Sequence, residues 1–404
     1  MKNILLIASS GPGMLGVGGL LIRDMLRTEG VDPVALAAIL PESDASTLDP
    51  SPLRALRTFP APREYIDRAP GGWAATLAAW RARRAGYDRD IARIARDLKA
   101  FLHEQKPDLV WVILNSLSSI DSTYLLLDAI PGDLLVQVWD DPRHLALQRR
   151  LDRLSRDRTW RRAQAIFARA RQIAVIGESM ATAYGELAQC PIHIVRHGSI
   201  ETPVEPAPLP AQPGEFRIGF AGSLYAQSAW RALLATLDHL DWRLHQTPVT
   251  LLALGGRIEF TSRSPHARAR YLGWQSPRQT LDHLRACDLL YLPQAFESSH
   301  ATLTRLSFPT KLSACLATGR PVFIHTPPHG SLTAFCHSMG YTLLSHHLHP
   351  SELAAFLEAQ TTPRNLADHA RRAADLGNRV FTRRNFENQV RDMLGISHPP
   401  ADAP

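Results

Sequence analysis

The order of apolar and amphipathic segments is the feature that most constrains the fold of this 404-residue chain. Apolar runs of strand length alternate with stretches of helical periodicity, such as 91–103, through most of the sequence. This alternation is typical of a parallel, doubly wound α/β sheet, whose strands are buried on both faces. The predicted strands are 4–8, 34–40, 109–114, 134–139, 173–176 and 193–195 in the first half, and 217–221, 249–254, 270–272, 289–292, 322–325 and 341–344 in the second.

A proline-rich stretch separates the two series of predicted strands. Residues 201–214 contain five prolines, which predicts a stiff linker. The chain is also too long for one typical hydrophobic core. We therefore predict two Rossmann-like domains that face a cleft. The predicted organisation is an N-terminal domain 1–200, the linker 201–214, a C-terminal domain 215–377, a C-terminal helix 378–396 and a disordered tail 397–404.

The net charge of +7 comes mostly from arginines in two clusters, 81–96 and 149–171. The second cluster interleaves arginine with aspartate, which is typical of a salt-bridged helix face in solvent. An anionic membrane surface is the alternative partner for these charges. We predict no nucleic-acid binding, because no recognised motif accompanies the basic residues.

Cysteine usage and the N-terminal residues indicate a cytoplasmic enzyme. No apolar run approaches the roughly twenty residues of a membrane span. Residues 1–8 lead straight into a glycine-rich turn, which predicts a first strand and not a signal peptide. The four cysteines show no metal-ligand spacing. We therefore predict no bound metal and no cofactor, and a cytoplasmic location with contact at the inner membrane face as an alternative.

The segment 309–322, PTKLSACLATGRPV, combines a helix start, an apolar face, a glycine stop and a new strand. Leu312, Cys315 and Leu316 recur at helical spacing, and Gly319 is placed to end the helix in a left-handed conformation. At the other end, Ser307 or Thr310 can cap the first turn. Lys311 stands beside the free N–H groups of that turn, so the segment predicts a phosphate-binding helix. An ordinary helix with a solvated lysine is the alternative.

This segment resembles the KLxEYLAxGxPV signature in the C-terminal domain of GT-B glycosyltransferases, especially the large retaining family that uses nucleotide-activated sugars. Residues 287–293 and 271–274 resemble the strands that come before that helix in the family. The resemblance implies a GT-B fold whose last helix crosses back onto the first domain. It also implies a nucleoside-diphosphate sugar as the donor substrate, and a donor site. The implied donor-binding residues are Gly222, Ser223, Pro309, Thr310, Lys311 and Leu312.

The chain departs from the family pattern at several positions that bind the donor. Many relatives have an arginine where this chain has Ser223, and a lysine a few residues later. They also have a second glutamate where this chain has Ala314. Glu297 matches the spacing of the first glutamate, so it holds the donor sugar or is a loop acid in solvent. Lys311 is therefore expected to carry much of the diphosphate charge.

The first domain has a glycine-rich loop after its first strand, at 9–19. Its spacing does not give a clean GxGxxG, and no acidic residue ends the next strand, so we discount NAD binding. In the resembled enzymes this loop contributes to the acceptor and diphosphate region, and Gly16, Gly18 and Gly19 lie in it. A tight strand-to-helix turn is the alternative role for each glycine.

Acidic residues offer one further candidate in the first domain. Asp140 and Asp141 directly follow a predicted strand, so both are expected near the cleft rim, where one could orient an acceptor hydroxyl or cap a helix. Asp88 and Asp90 resemble a DxD metal motif but precede a helical pattern, and we reject that site. The catalytic histidine of many relatives is absent at 114–116.

The resemblance implies a metal-independent transferase that acts on a sugar, a lipid-linked acceptor or a small molecule, in glycan, polysaccharide or glycolipid synthesis. Lys311, Glu297 and Asp140 are the expected catalytic residues. Two alternatives stay open: a GT-B epimerase or phosphorylase, and a nucleotide-sugar-binding scaffold without activity.

Overall fold

The computed structural model describes residues 2–13, 16–64, 72–209, 214–256, 258, 260 and 268–398. The chain divides into two compact units. Unit 1 contains Met1–Arg196 and Glu387–Pro404, and unit 2 contains His197–Phe386. Part of the predicted linker, 210–213, and most of the predicted disordered tail, 399–404, lie outside the described residues.

Unit 1 is built on a seven-stranded parallel sheet with the order β3-β2-β1-β4-β5-β6-β7. Every residue of the three central strands β1, β2 and β4 is buried, as their unbroken apolar sequences predict. The strands are β1 Ile4–Ala8, β2 Val34–Leu40, β3 Leu53–Pro60, β4 Leu109–Ile113, β5 Asp133–Val138, β6 Gln172–Val175 and β7 Ile192–Ile194.

Helices connect these strands, as parallel pairing requires. They are α1 Val17–Leu26, α2 Glu42–Ala45, α3 Trp73–Ala85, α4 Tyr87–Gln105, α5 Leu117–Leu126, α6 Pro142–Gln148, α7 Arg153–Arg169 and α8 Glu178–Gly185, with a 3-10 turn at Leu127–Ala129.

Unit 2 has a second sheet with the order β11-β10-β8-β12-β13-β14, parallel along that path, and β9 pairs with β10 in the antiparallel sense. Its strands are β8 Phe216–Ala221, β9 Arg243–Leu244, β10 Thr247–Leu254, β11 Ala269–Tyr271, β12 Leu289–Pro293, β13 Val322–His325 and β14 Leu344–Ser345. Its helices are α9 Gln227–His239, α10 Pro277–Arg285, α11 Ala301–Leu306, α12 Lys311–Leu316, α13 Ser331–Met339, α14 Pro350–Gln360 and α15 Pro363–Val380, with a 3-10 turn at Ser298–His300.

The last helix, α16, spans Arg383–Leu394, so the single helix predicted from residue 378 is divided. The break follows from backbone pairing at Phe381 and Thr382. Phe381 O accepts a hydrogen bond from Ile200 N at 3.1 Å. Thr382 Oγ1 then accepts the N–H of Asn385 at 3.1 Å, which caps the start of α16.

Each sheet has one point where the strand order reverses direction, and open α/β sheets bind ligands there, outside the carboxyl ends of the strands. In unit 1 this switch point lies between β1 and β4, and in unit 2 between β8 and β12. Ser9 and Asn115 lie just past the strands at the first switch point, and Gly222 and Gln294 lie just past those at the second.

Candidate functional site

Two glycines leave the backbone without side chains on the β8 side of the switch point of unit 2. Gly222, directly after β8, has φ 109°, and Gly255, directly after β10, has φ 111°. A Cβ on Gly255 would lie 2.8 Å from Gly222 Cα. A Cβ on Gly222 would lie 2.5 Å from Lys311 Cε. Only glycine therefore lets these two turns and the lysine side chain pack so closely.

Lys311 is the first residue of α12 and reaches this glycine turn. Its ammonium donates a hydrogen bond to Ser223 O at 2.6 Å. It also lies 5.1 Å from the centroid of the Phe220 ring and 5.6 Å from that of Tyr225. None of the described carboxylates forms an ion pair with it. The cation is thus held by neutral groups, which suits an anionic ligand.

Burial lowers the pKa of Lys311 from 10.5 to about 8, and the nearby Cys315 thiol opposes this only in part. The side chain is half-buried. Removing an ammonium from water without a carboxylate partner disfavours its charged form. A bound diphosphate would reverse that effect, because an opposite charge at contact distance favours the ammonium.

The helix that carries Lys311 agrees with its predicted pattern except at its start. Leu312, Cys315 and Leu316 are buried, and Gly319 has φ 69° in a left-handed turn. Thr310 occupies the N-cap position but makes no side-chain cap hydrogen bond, so the expected threonine cap is wrong. Instead, Leu312 N donates to Pro309 O at 3.1 Å. With only six residues, α12 has too short a dipole to replace the lysine as the main anion-binding group.

The side chain of Glu297 contacts the start of α9, the helix that follows the Gly222 turn in the chain. Its Oε1 accepts a hydrogen bond from Ser228 N, the second residue of that helix, at 2.6 Å. Burial alone would raise the pKa of Glu297, but the hydrogen bonds from Ser228 and the charge of His300 lower it overall. Its Oε2 is buried and has no hydrogen-bond partner among the described residues. Glu297 is therefore a half-buried cap with one oxygen unused, and not a solvated loop acid.

A buried polar network supports the loop that leads into α12, and sequence reasoning did not find it. Thr326 Oγ1 donates to Gln294 Oε1 at 2.6 Å, and Gln294 Nε2 donates to Ser331 Oγ at 3.2 Å. Ser331 Oγ in turn donates to Ser307 O at 2.6 Å. The network joins residues far apart in the chain, so no local pattern marks it. It ties the ends of β12 and β13 to the segment before Lys311.

The switch point of unit 1 carries a cluster of hydroxyl and amide groups. Ser9 N donates to Asn115 Oδ1 at 3.1 Å, and Asn115 Nδ2 donates to Ser10 Oγ at 3.1 Å. Ser9 Oγ is hydrogen-bonded to Ser116 Oγ. A Cβ on Gly18 would lie 3.0 Å from Ser10 Oγ, so this glycine belongs to the same cluster.

The other two glycines predicted for the acceptor region have different surroundings. Gly16 is the N-cap of α1 with φ 98°, and nothing lies within 4 Å of its Cβ position. Gly19 is buried in the first turn of α1. Gly16 therefore serves the turn conformation, whereas Gly18 makes a close approach to Ser10.

The two acidic residues after β5 have separate roles, so the expectation that both lie at a rim is wrong for Asp141. Asp141 is fully buried and caps α6 by accepting the N–H of Arg143 at 2.8 Å. It also accepts the Arg143 guanidinium at 2.9 and 2.8 Å and the Tyr184 hydroxyl at 3.1 Å. Asp140 is half-buried. It is thus the carboxylate of this pair that is partly open to solvent.

Two arginines of the second basic cluster form ion pairs with aspartates of other helices. Arg158 contacts Asp88 at 2.6 Å. Arg162 contacts Asp121 at 2.8 Å. Asp88 lies in the first turn of α4, consistent with rejection of a DxD metal motif. Within the described residues, no group of three or more His, Cys, Asp or Glu side chains could hold a metal ion. Over the same part of the chain, no helix has the length and apolarity needed to cross a bilayer.

No protein-family model matches the chain, and no curated protein matches it significantly. Solved structures do. HepE of Anabaena, in complex with UDP and glucose, matches at TM-score 0.65 and 14% identity over 97% of this chain and 99% of that one. Sucrose-phosphate synthase of Thermosynechococcus elongatus matches at TM-score 0.67 and 11% identity over 98% of both chains.

A third match is the lipopolysaccharide outer core galactosyltransferase WaaB in its apo form, at TM-score 0.61 and 15% identity over 97% of this chain and 99% of that one. At such identities the likeness concerns the fold. The predicted fold class, with two Rossmann-like parallel-sheet units, is confirmed. The chain has the GT-B fold of the glycosyltransferases.

Proposed function

We propose that this protein is a glycosyltransferase that moves a sugar from a nucleoside-diphosphate sugar to an acceptor hydroxyl. The observation that carries the proposal is the half-buried ammonium of Lys311 at the switch point of unit 2, held by Ser223 O at 2.6 Å with no described carboxylate partner. HepE, which has the same fold, was solved in complex with UDP and glucose, and this supports a similar donor here.

In the proposed reaction, the bond between the sugar C1 and the diphosphate oxygen breaks and a bond from C1 to the acceptor oxygen forms. The diphosphate leaves with the electron pair, and the acceptor proton goes to a diphosphate oxygen. Lys311 stabilises the charge that develops on the leaving group. The donor binds the turn at Gly222 and Ser223 and the residues Pro309 and Thr310. Leu312 is fully buried and its N–H is bonded to Pro309 O, so it is not part of the proposed donor site. No bound metal is required by this scheme, and we propose retention of configuration.

Glu297 is proposed to bind hydroxyl groups of the donor sugar through its unused Oε2. Glu297→Gln keeps an oxygen for Ser228 N but loses the charge, so we expect a stability loss of about 0.3–1 kcal/mol from the weaker helix cap. Turnover should fall by about tenfold to a hundredfold, since the charged carboxylate that accepts hydrogen bonds from the sugar is replaced by a neutral amide. Urea denaturation and a donor-consumption assay measure the two effects.

Glu352→Gln is the matched control, because Glu352 places a carboxylate at the first turn of another helix of unit 2, α14. It should show a comparable loss of stability and full turnover. Equal turnover in Glu297→Gln and Glu352→Gln would remove Glu297 from the donor site.

The acceptor is proposed to bind unit 1, at the hydroxyl cluster of Ser9, Ser10 and Asn115 and the glycine turn from Gly16 to Gly19. Asp140 is proposed to orient the acceptor hydroxyl. These polar groups suit a sugar, a lipid-linked sugar or another small polyhydroxyl molecule.

Donor binding should weaken as the pH rises above the pKa of Lys311. The pKa of Lys311 in the free protein is about 8, so the ammonium loses its proton above pH 8. Titrations of a nucleoside diphosphate should therefore give a dissociation constant that rises toward about tenfold per pH unit above that point. Lys311→Arg stays charged and should flatten the curve. A wild-type curve that is flat from pH 7 to 9.5 would contradict the role of the lysine.

The function itself is tested by incubating the protein with UDP-, GDP- and ADP-sugars and a panel of hydroxyl acceptors. Release of nucleoside diphosphate that depends on acceptor supports the transferase. Turnover without an acceptor, or only with inorganic phosphate, would point to an epimerase or a phosphorylase.

A nucleotide-sugar-binding scaffold without activity is the second candidate. It is favoured by Ala314 and Ser223 at positions where relatives bind the donor, and by the use of one Glu297 oxygen as a helix cap. Binding of a nucleotide sugar without any transfer or hydrolysis would decide for the scaffold.

A further inference from the structure

A half-buried tryptophan, Trp139, lies at the switch point of unit 1. It directly follows β5, in which residues 134–138 are all buried. In the register of the sheet, Gln137 of β5 pairs with Ile113 of β4. Trp139 and Asn115 therefore each come two residues further along neighbouring strands, at the same edge of the sheet.

The indole of Trp139 lacks the internal partners that other tryptophans of unit 1 have. Trp111 is buried, and its N–H donates to Gln137 Oε1 at 3.1 Å. The Arg143 guanidinium carbon lies 4.3 Å from the centroid of the Trp160 ring. Among the described residues, no hydrogen bond, aromatic ring or guanidinium engages the Trp139 side chain in this way. A partly open tryptophan without such a partner is suited to contact a ligand.

Gly18, in the first turn of α1, lets the Trp139 ring and the Ser10 hydroxyl come together. A Cβ on Gly18 would lie 3.3 Å from Trp139 Cζ3 and 3.0 Å from Ser10 Oγ. Gly18 does not have a positive φ, so the close approach and not the backbone conformation favours glycine here. Gly18 and Ser10 are both half-buried, so the ring and the hydroxyl share one partly open surface.

Hydrogen-bond donors that the protein does not use lie beside this ring. Asn115 Oδ1 accepts the N–H of Ser9, and Asn115 Nδ2 donates one of its two protons to Ser10 Oγ. The second amide proton of Asn115 and the hydroxyl proton of Ser10 have no acceptor among the described residues. We call Trp139, Gly18, Ser10 and Asn115 the Trp139 platform.

An aromatic face beside fixed neutral donors matches the surface of a pyranose sugar. The C–H groups on one side of a sugar ring favour the negative face of an indole, and the hydroxyls at its rim accept hydrogen bonds from amide and hydroxyl donors. A phosphate or carboxylate is bound best by a cation, and the Trp139 platform contains none. Asp140, the next residue in the chain, would repel an anion as well.

We propose that a neutral sugar stacks on Trp139 in the acceptor site of unit 1, and that the acceptor of the transfer therefore ends in an uncharged pyranose. The second statement rests on the proposed function. Binding of the sugar to the Trp139 platform needs neither a donor nor turnover.

The test is saturation-transfer NMR and calorimetric titration of the full-length protein, without nucleotide, with methyl glycosides and disaccharides of glucose, galactose and mannose. Glucuronic acid and phosphorylated glucose serve as anionic comparisons. Wild type should bind at least one neutral sugar, with the largest saturation on the C–H groups of one ring face. Trp139→Leu should weaken that affinity about tenfold, and Trp139→Phe about threefold, because a smaller ring keeps part of the contact. Gly18→Ala should weaken it about fivefold, because the added methyl group crowds both the ring and Ser10.

Trp160→Leu is the matched control, because Trp160 is also a half-buried tryptophan of unit 1. It should bind the sugar as wild type does, and thermal unfolding shows whether the two leucine variants are equally folded. Failure of wild type to bind any neutral sugar would overturn the proposal. Tighter binding of the anionic sugars, or equal losses in Trp139→Leu and Trp160→Leu, would overturn it too.

Failure of this inference can be distinguished from failure of the proposed function. A protein that transfers no sugar but still binds one through Trp139 would disprove the transferase and leave the Trp139 platform standing. In a transfer assay, Trp139→Leu should raise the KM for the acceptor about tenfold and leave the KM for the donor unchanged. Transfer to a neutral acceptor with the same acceptor KM in wild type and Trp139→Leu would overturn the inference and leave the transferase standing.

Discussion

Lys311→Met is expected to abolish binding of nucleoside diphosphates and, at the same time, to raise the free energy of unfolding. Burial lowers the pKa of this lysine from 10.5 to about 8, so holding its charged form at pH 7 costs up to about 3 kcal/mol. Methionine fills similar space without a charge. A stability gain of about 1–3 kcal/mol in urea denaturation at pH 7 is therefore the expected result.

The titration of Lys311 should make the free energy of unfolding of the wild-type protein increase with pH. Between pH 8 and 10.5 the unfolded lysine holds a proton that the folded one has lost, so wild-type stability should rise with pH across this window. Lys311→Met should lack that rise. Lys99→Met is the control, because Lys99 is exposed on α4 and its removal should leave both affinity and slope unchanged. A Lys311→Met protein that binds donor as tightly as wild type would contradict the account.

Gly222→Ala is the second variant with a large expected effect. At φ 109° an alanine costs about 1–3 kcal/mol of backbone strain. Its Cβ would also lie 2.5 Å from Lys311 Cε, so the lysine must move away from Ser223 O. We expect lower stability together with at least a roughly tenfold loss of donor affinity, since a displaced ammonium no longer meets the diphosphate. Chemical denaturation and calorimetric titration measure the two.

Gly273→Ala is the matched control for that change. Gly273 also has a positive φ, 67°, but nothing lies within 4 Å of its Cβ position. It should cost about 1–2 kcal/mol for the left-handed conformation and leave donor affinity unchanged. If both variants lose affinity equally, backbone strain and not the contact with Lys311 is responsible.

Most of the fold could be predicted from the sequence because its central strands are continuously apolar. The predicted strands 4–8, 34–40 and 322–325 coincide with β1, β2 and β13. The strand β3 was missed, since LRALRTFP mixes polar and apolar residues without a continuous apolar run and ends in proline, as an edge strand does. The strand predicted at 341–344 is instead a short one at Leu344–Ser345, because the N–H of Tyr341 is bonded to Cys336 O at the end of α13.

The candidate site could be predicted only where it depends on local sequence. Lys311 and Gly222 stand in recognisable local patterns, a helix start and a strand end. The contact of Glu297 with Ser228 N joins residues 69 apart, and the buried bond from Thr326 to Gln294 spans 32. Such contacts are set by the sheet order and not by spacing in the chain. The close approach of Gly255 to Gly222 was missed for the same reason.

The central claim is that the switch point of unit 2 binds a nucleoside diphosphate through Lys311. The most direct measurement is thermal stabilisation by UDP, GDP and ADP and their sugar conjugates, for wild type and Lys311→Met side by side. The account predicts that at least one nucleotide stabilises wild type by about 2.7 kcal/mol at a hundred times its dissociation constant, and that Lys311→Met shows no shift. No shift of wild type with any of them, or an equal shift in both proteins, would contradict it.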